Sequence, residues 1–448
     1  MTDFDLQDNL KNMECHFNWQ LDSSPSTLEN LHQDLKDRLQ TGCTWKCQLH
    51  NLLGYVLHAQ GSRDEALTHL KKAEKMIKEQ RDEEKDCLLL VNQANLAWVH
   101  YSRGELKESR AYLEEVTRLQ EALPASPGSQ IHPELSGQKG WSLLKFERSK
   151  KQQAIECFKM ALEGNPQKAL FHKGLALAME KGYTESEVTP ELKKEIVEKL
   201  RVAKQMDEND ICVAALFMIQ SFPNSGDKEG AWEEANKLAG ELIASGCLDG
   251  LDNILYLLMY HFKKYDKALD VAETMLNLFP HSTRAKKALA NSLKRKVFSL
   301  KKKTEERTAL ATRAIALYKD VNTQHSVKGR CSLAVMHVKV DDIDAANNIY
   351  KNLLGQNHLS DAEKQLLYLQ YGDYLDWERK MTSEAIDMYI KAAKVPAVSD
   401  DKNKCIQRLV SIVGYGRHDR CNEICAFLLD LHQFCVGCRH IGQLFLKK

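Results

Sequence analysis

The spacing of small and bulky residues near the start constrains the fold more than any other feature. Leu53-Gly54 is followed by Gly61, then by Ala66, Leu70 and Ala73. Two amphipathic helices joined by a tight turn need such an order. A small residue sits where the helices cross, a glycine makes the turn, and small and bulky side chains interlock on the second helix. Gly54, Ala66 and Ala73 allow the close approach, and Leu53 and Leu70 fill the space between. The remaining sequence permits helix almost throughout. Proline occurs 9 times and glycine 22 times in 448 residues, so breakers are scarce in a chain rich in Leu, Lys, Glu and Ala.

The spacing returns with decay. Leu96-Ala97, Gly104 and Leu113 fit a second unit, and Ala154, Phe158, Ala161 and Pro166 fit the second half of a third. Ala268 and Pro280 mark another, as do Ala345 with Ile349, and Ala385 with Tyr389 and Ala392. Six partial matches identify tetratricopeptide units, which bury their faces only against neighbours in an array. The expected fold is all-α, a tetratricopeptide-repeat superhelix (α-solenoid) with inserted non-repeat helices, and strand below about 5%. Pro124–Pro133 and Ser221–Gly230 read as loops. They suggest an N-terminal repeat lobe over 1–135, a middle lobe over 136–245 and a C-terminal lobe over 246–448, all lobes of one continuous superhelix.

Composition narrows the function classes. Hydrophobic residues make up 43% and charged residues 28%, which excludes a disordered or low-complexity chain. Lys+Arg 63 against Asp+Glu 62 gives a net charge of +1, so any basic surface must arise by local segregation. The N-terminal MTDFDLQDNL is acidic and lacks an apolar stretch, so no signal peptide is expected. The longest apolar runs, such as Cys212–Ile219 and Cys87–Val91, are far short of the roughly 18 residues that span a bilayer. The 13 cysteines are expected as reduced thiols, which implies a cytoplasmic location. No phosphate-binding glycine loop, zinc-protease helix or nucleophile elbow occurs, so neither catalysis nor a cofactor is expected.

A further series is more specific than the repeat itself. Glu14-Cys15-His16-Phe17-Asn18-Trp19 is followed by Asn51-Leu52-Leu53-Gly54-Tyr55-Val56, then by Asn95-Leu96-Ala97-Trp98-Val99-His100-Tyr101, Pro133-Glu134-Leu135 and Gly140-Trp141-Ser142-Leu143-Leu144-Lys145. In this order the stretches resemble the interferon-induced proteins with tetratricopeptide repeats. The likeness is close to about Pro166 and looser from there to about Val395. It implies a positively charged central channel that holds the 5′ end of single-stranded RNA, bearing a triphosphate or a cap. It also implies an antiviral, cytoplasmic protein that catalyses nothing, binds neither membrane nor DNA, and has other family members, translation initiation factors or innate signalling proteins as partners.

Individual roles follow from the same resemblance. Trp141 matches the tryptophan that stacks on a methylated guanine, and Lys145 matches a phosphate contact. Trp141 alone is equally well read as a core residue at a helix junction; Lys145, four residues on, would share its helix face. Gly174–Lys181 matches a helix whose apolar residue and arginine line the 5′-end pocket, which gives Leu177 and Lys181. The change from Arg to Lys keeps the charge and loses the bidentate fork. Gln33 and Arg38 are the candidates on the second helix. Leu255–His261 has lost the family's arginines, and Ala285–Ala288 its His-Gln pair.

Arg284–Lys303 carries nine Lys/Arg and no Asp/Glu. At helical spacing Ala285, Ala288, Leu289, Leu293, Val297 and Leu300 form one face, with Arg284, Lys287, Lys294, Arg295, Lys301 and Lys302 roughly opposite. The basic side is either a solvated face or a strip for RNA backbone. Arg284, Lys287, Lys294 and also Lys151 are the backbone candidates, and in sequence the helix lies many repeats from Lys145. Cys421, Cys425, Cys435 and Cys438 form a weak zinc candidate with irregular spacing, against buried free thiols. Two functions remain: an effector that sequesters RNA 5′ ends or blocks their translation, and a protein-interaction scaffold in innate immune signalling. Lys145, Lys181 and the basic helix favour a polyanion over a peptide.

Overall fold

The structure, a computed structural model, describes residues 3–21, 24–41, 45–80, 85–123, 132–185, 187–222, 227–301, 304–321, 326–357, 359–416 and 418–434. Among these no residue lies in a β-strand. The chain divides into two compact units, Met1–Ser299 and Leu300–Lys448, and the expected lobe boundaries near 135 and 245 both fall within the first. Residues 124–131 and 223–226 of the two expected loops lie outside the described residues.

The first unit runs α1 (Asp3–Lys11), α2 (Pro25–Gln40), α3 (Lys46–Ala59), α4 (Arg63–Glu79), α5 (Lys85–Ser102), α6 (Leu106–Ala122), α7 (Pro133–Leu143), α8 (Arg148–Gly164), α9 (Ala169–Gly182) and α10 (Pro190–Met206). It continues with α11 (Ile211–Ser221), α12 (Lys228–Ser245), α13 (Leu251–Tyr256) with a π-helical turn over Leu257–His261, α14 (Tyr265–Leu278) and α15 (Thr283–Ser299). The second unit runs α16 (Glu305–Asp320), α17 (Val327–Lys339), α18 (Ile343–Leu354), α19 (Asp361–Trp377), α20 (Thr382–Lys394), α21 (Asp400–Tyr415) and α22 (Cys421–Phe434).

Local sequence sets the helix ends. Pro25, Pro133 and Pro190 each open a helix, where the absent N–H costs nothing, behind the capping side chains of Ser24, His132 and Thr189. Ser360 and Glu363 form a reciprocal capping box at the start of α19.

Packing follows the small-against-large rule. A Cβ on Gly54 would come within 2.6 Å of the Leu70 side chain, so α3 and α4 approach where only glycine fits. Gly61 makes the α3–α4 turn at φ 87°, a conformation that side-chain-bearing residues resist. Phe158 on α8 fills the gap between Gly140 on α7 and Gly174 on α9; a Cβ on Gly174 would meet its ring at 2.3 Å. In the second unit Tyr389 packs on Gly372 in the same way. Ala66, Ala73, Ala97, Ala154, Ala161, Ala268, Ala385 and Ala392 are all fully buried, as the spacing predicts. One register differs. Ala345 and Ile349 are only partly buried, whereas Ala346 and Tyr350 are fully buried and occupy the repeat's core positions on α18. The large Tyr350, stacked on Tyr374 at 5.1 Å, decides which face turns inward.

Candidate nucleic-acid interface

The quoted stretches meet in three dimensions. His16 lies between α5 and α7, with its backbone N–H donating to Asn95 Oδ1 at 3.2 Å. Asn95 Nδ2 is 2.9 Å from His16 Nδ1, and Ser142 Oγ is 3.1 Å from His16 Nε2. Ser142 Oγ donates to the Gln138 carbonyl at 3.0 Å, so the ring gives its Nε2 proton to Ser142 and accepts from Asn95 at Nδ1. Burial holds His16 neutral, its pKa lowered to about 3 although the Asn95 bond favours the charged form. Phe17 stacks on Trp98 at 5.9 Å, and Trp19 Nε1 donates to Glu14 at 2.6 Å. The histidine motif therefore orients the helix that carries Trp141.

Within the first unit a cavity of about 300 Å³ opens beside this network, at the lower end of the roughly 300–1,000 Å³ of ligand pockets. Trp141, Lys145, Leu177, Lys181, Arg38 and Arg284 all line it. Trp141 is half-buried, edge-on to Phe158 at 5.4 Å. Its buried indole N–H has no acceptor among the described residues. Lys145 lies two residues past the end of α7, in a turn where its own N–H donates to the Ser142 carbonyl at 3.1 Å, and not on the helix itself. It still reaches the same cavity as Trp141. Leu177 and Lys181 sit one turn apart on α9, with Leu177 in the core and Lys181 exposed at the wall.

The remaining sequence candidates sit differently. Gln33 is exposed, outside the cavity lining, and donates to Thr283 Oγ1 at 3.2 Å. Lys151 is outside the lining and beside Lys181; burial, and then the Lys181 charge, lower its pKa. The basic helix expected over Arg284–Lys303 is α15 and stops at Ser299, so Leu300 and Lys301 do not extend it. Lys302 and Lys303 lie outside the described residues. Ala285, Ala288, Leu289, Leu293 and Val297 are buried as expected. Its basic face is largely answered from within: Lys296 pairs with Asp266 at 2.8 Å, and the Arg295 guanidinium lies 4.3 Å from the Tyr260 ring. Burial lowers the pKa of Lys287, opposed by Asp34 and Asp37. Lys294 is half-buried two turns further along. Sequence distance separates Arg284 from Lys145, but the fold brings both to one cavity because α15 packs on α2. Cys421 and Cys425 lie on α22, while Cys435 and Cys438 are outside the described residues; among those described, no group of three ligating side chains could hold a metal.

The charges of the cavity are unevenly matched. Arg38 Nε meets Asp34 at 2.7 Å and its Nη1 meets Asp249 at 2.8 Å. Arg284 meets Asp249 at 3.1 Å and Asp252 at 3.4 Å. Burial would raise the Asp249 pKa, but Arg38 and then Arg284 override it and hold the group at about 2. Lys173 is bound by Asp210 at 2.5 Å. Among the described residues no carboxylate is within ion-pairing distance of Lys145 or Lys181. Burial lowers the Lys145 pKa to about 8, followed in effect by the Arg38 charge. Asp249, Asp252 and Lys173 belong to no motif in the sequence; the pair of aspartates in Asp249-Gly250-Leu251-Asp252 was the only signal. Two lysines without counter-ions beside an aromatic plane suit an anionic ligand with a flat group.

A sequence profile described as tetratricopeptide repeat matches residues 45–122. The Cricetulus griseus protein named interferon-induced protein with tetratricopeptide repeats 2 is 27% identical over 446 residues, covering 96% of this chain and 92% of that protein. The Macaca fascicularis antiviral innate immune response effector IFIT1 is 26% identical over 437 residues, covering 91% and 87%. Solved structures of the human IFIT1 dimer, with m7Gppp-AAAA and with PPP-AAAA, superpose with TM-scores of 0.73 and 0.72 at 22% identity, over 99% of this chain and 98% of theirs. They share the tetratricopeptide-repeat superhelix fold. The quoted motifs meet around one basic cavity, and over nearly its whole length this chain is similar to the interferon-induced proteins with tetratricopeptide repeats.

Proposed function

We propose that this protein binds the 5′ end of single-stranded RNA, triphosphorylated or capped, in the cavity between α2, α7, α9 and α15. As a cytoplasmic, interferon-induced antiviral effector it sequesters foreign RNA or blocks its translation, and it acts by binding, not by catalysis. The observation that carries this reading is the pair Lys145 and Lys181, which line the cavity with Trp141 and, among the described residues, have no carboxylate partner. Phosphate supplies the missing counter-charge, and Trp141 offers a face or an edge to a terminal base. The human IFIT1 structures with capped and triphosphorylated RNA support the choice of ligand. The dimers in those structures support pairing with other family members, and translation initiation factors or innate signalling proteins are further expected partners.

The test is a gel shift of the purified protein with one RNA sequence carrying a 5′-triphosphate, a 5′ cap or a 5′-hydroxyl. Binding that depends on the 5′ group is expected. Equal binding of all three ends would remove the reading.

A further inference from the structure

Asp249 stands between two arginines inside the cavity. Its Oδ1 accepts from Arg38 Nη1 at 2.8 Å and from Arg284 Nη1 at 3.1 Å. Asp34 takes the Nε of Arg38 at 2.7 Å, and Asp252 lies 3.4 Å from Arg284 Nη2. The cavity therefore has two unlike halves. In one, two guanidinium groups face three carboxylates, Asp34, Asp249 and Asp252. In the other, among the described residues, Lys145 and Lys181 are paired with none. Guanidinium forks match a terminal phosphate better than any other side chain does, and here a carboxylate of the chain itself fills them.

The position of Asp249 is built into the fold. It lies in the connection between α12 and α13, followed by Gly250 at φ 96°. A Cβ on Gly250 would come within 3.2 Å of the Cys212 backbone, so the connection is packed tightly on α11. The two arginine side chains are only 19% and 18% exposed, whereas the Asp249 side chain is 40% exposed. The carboxylate that occupies both arginines is thus more open to solvent than the arginines themselves.

We propose that Asp249 is an internal competitor for phosphate, which sets how much negative charge the cavity accepts. An end with little charge is held by Lys145 and Lys181 alone. A 5′-triphosphate must displace Asp249 to engage Arg38 and Arg284. The inference rests on the reading of the cavity as an RNA 5′-end site and adds the residue that sets its preference.

Asp249→Asn tests this, since it keeps the size and one acceptor oxygen while removing the charge. Binding is measured by fluorescence polarisation for one RNA sequence with 5′-triphosphate, 5′-monophosphate or 5′-hydroxyl. Thermal melting with and without inorganic tripolyphosphate runs in parallel. The variant is expected to bind the triphosphate RNA about tenfold tighter than the parent protein, the monophosphate with a smaller gain and the hydroxyl without change. Tripolyphosphate is expected to raise its Tm further than that of the parent. Equal or weaker triphosphate binding, with equal Tm shifts, would overturn the proposal. If the triphosphate RNA binds neither protein while tripolyphosphate still favours the variant, the competition stands and the RNA reading falls. Should Asp249→Asn lose its helical signal, Asp252→Asn is expected to change binding in the same direction by less, and no gain there counts against the proposal.

Discussion

The Asp37 carboxylate on α2 accepts the backbone N–H of Arg284, 247 residues away at the start of α15, at 3.0 Å. The same carboxylate accepts the Thr283 N–H at 3.1 Å and the Ser282 hydroxyl at 2.9 Å. A helix N-terminus leaves its first amides without partners and favours negative charge, and a buried aspartate answers both needs. The contact closes the first unit on itself and brings the Arg284 side chain to Asp249. Replacing Asp37 by Ala leaves three donors unpaired. The expected cost is about 2–4 kcal/mol, read as a lower midpoint in urea unfolding. A change under about 0.5 kcal/mol, the level of ordinary surface substitutions, would contradict the clasp.

The charge on Lys145 is expected to govern the pH dependence of binding. Its pKa is lowered to about 8 in the folded protein, first by burial and then by Arg38. Below that value the ammonium is present, and above it the site loses a positive charge. Affinity for 5′-triphosphate RNA should therefore fall as the pH rises from about 7 to about 9, measured at constant ionic strength. The sign for stability is opposite. The unfolded chain holds this proton to higher pH than the native one, so the cost of burying the charge is full below pH 8 and relieved as the pH rises above it. Lys145→Arg should flatten the binding profile, and a profile unchanged by that substitution would exclude Lys145 as its source.

Lys287 and Lys294 are expected to meet RNA backbone along α15. For single strands, each phosphate that a cation neutralises adds roughly 0.7 to the steepness of log K against log salt. Replacing both lysines by Ala should flatten the slope by about twice that amount and weaken all sequences alike. An unchanged slope would make this side of the helix a solvated face.

Parts of this structure were legible in the sequence and parts were not, for physical reasons. Gly54, Leu70 and Phe158 announce themselves because close helix crossings admit few side-chain sizes. Trp141, Lys145 and Lys181 were found through motif resemblance, and they do share one cavity. The one-residue register of α18 was missed because Ala345 and Ala346 are adjacent alanines, and only the packing of Tyr350 tells them apart. Asp249 was missed because its role depends on Arg38 and Arg284, distant in sequence and joined to it only by the fold. The basic stretch reads equally as a solvated face or an RNA strip, since a one-dimensional pattern does not display Asp34 and Asp37 near Lys287, Asp266 on Lys296 or Tyr260 beneath Arg295.

Lys145 and Lys181 carry the proposed 5′-end recognition. Affinity for 5′-triphosphate RNA and for the same RNA with a 5′-hydroxyl is the direct measurement, made on the parent protein, Lys145→Glu and Lys181→Glu, with circular dichroism confirming that each variant keeps its helices. Both variants are expected to lose the preference for the triphosphate end, by a factor of about ten or more each, while weak binding to the hydroxyl RNA persists. Retention of the parent's triphosphate preference in both variants would contradict this and leave the cavity without a phosphate-binding role.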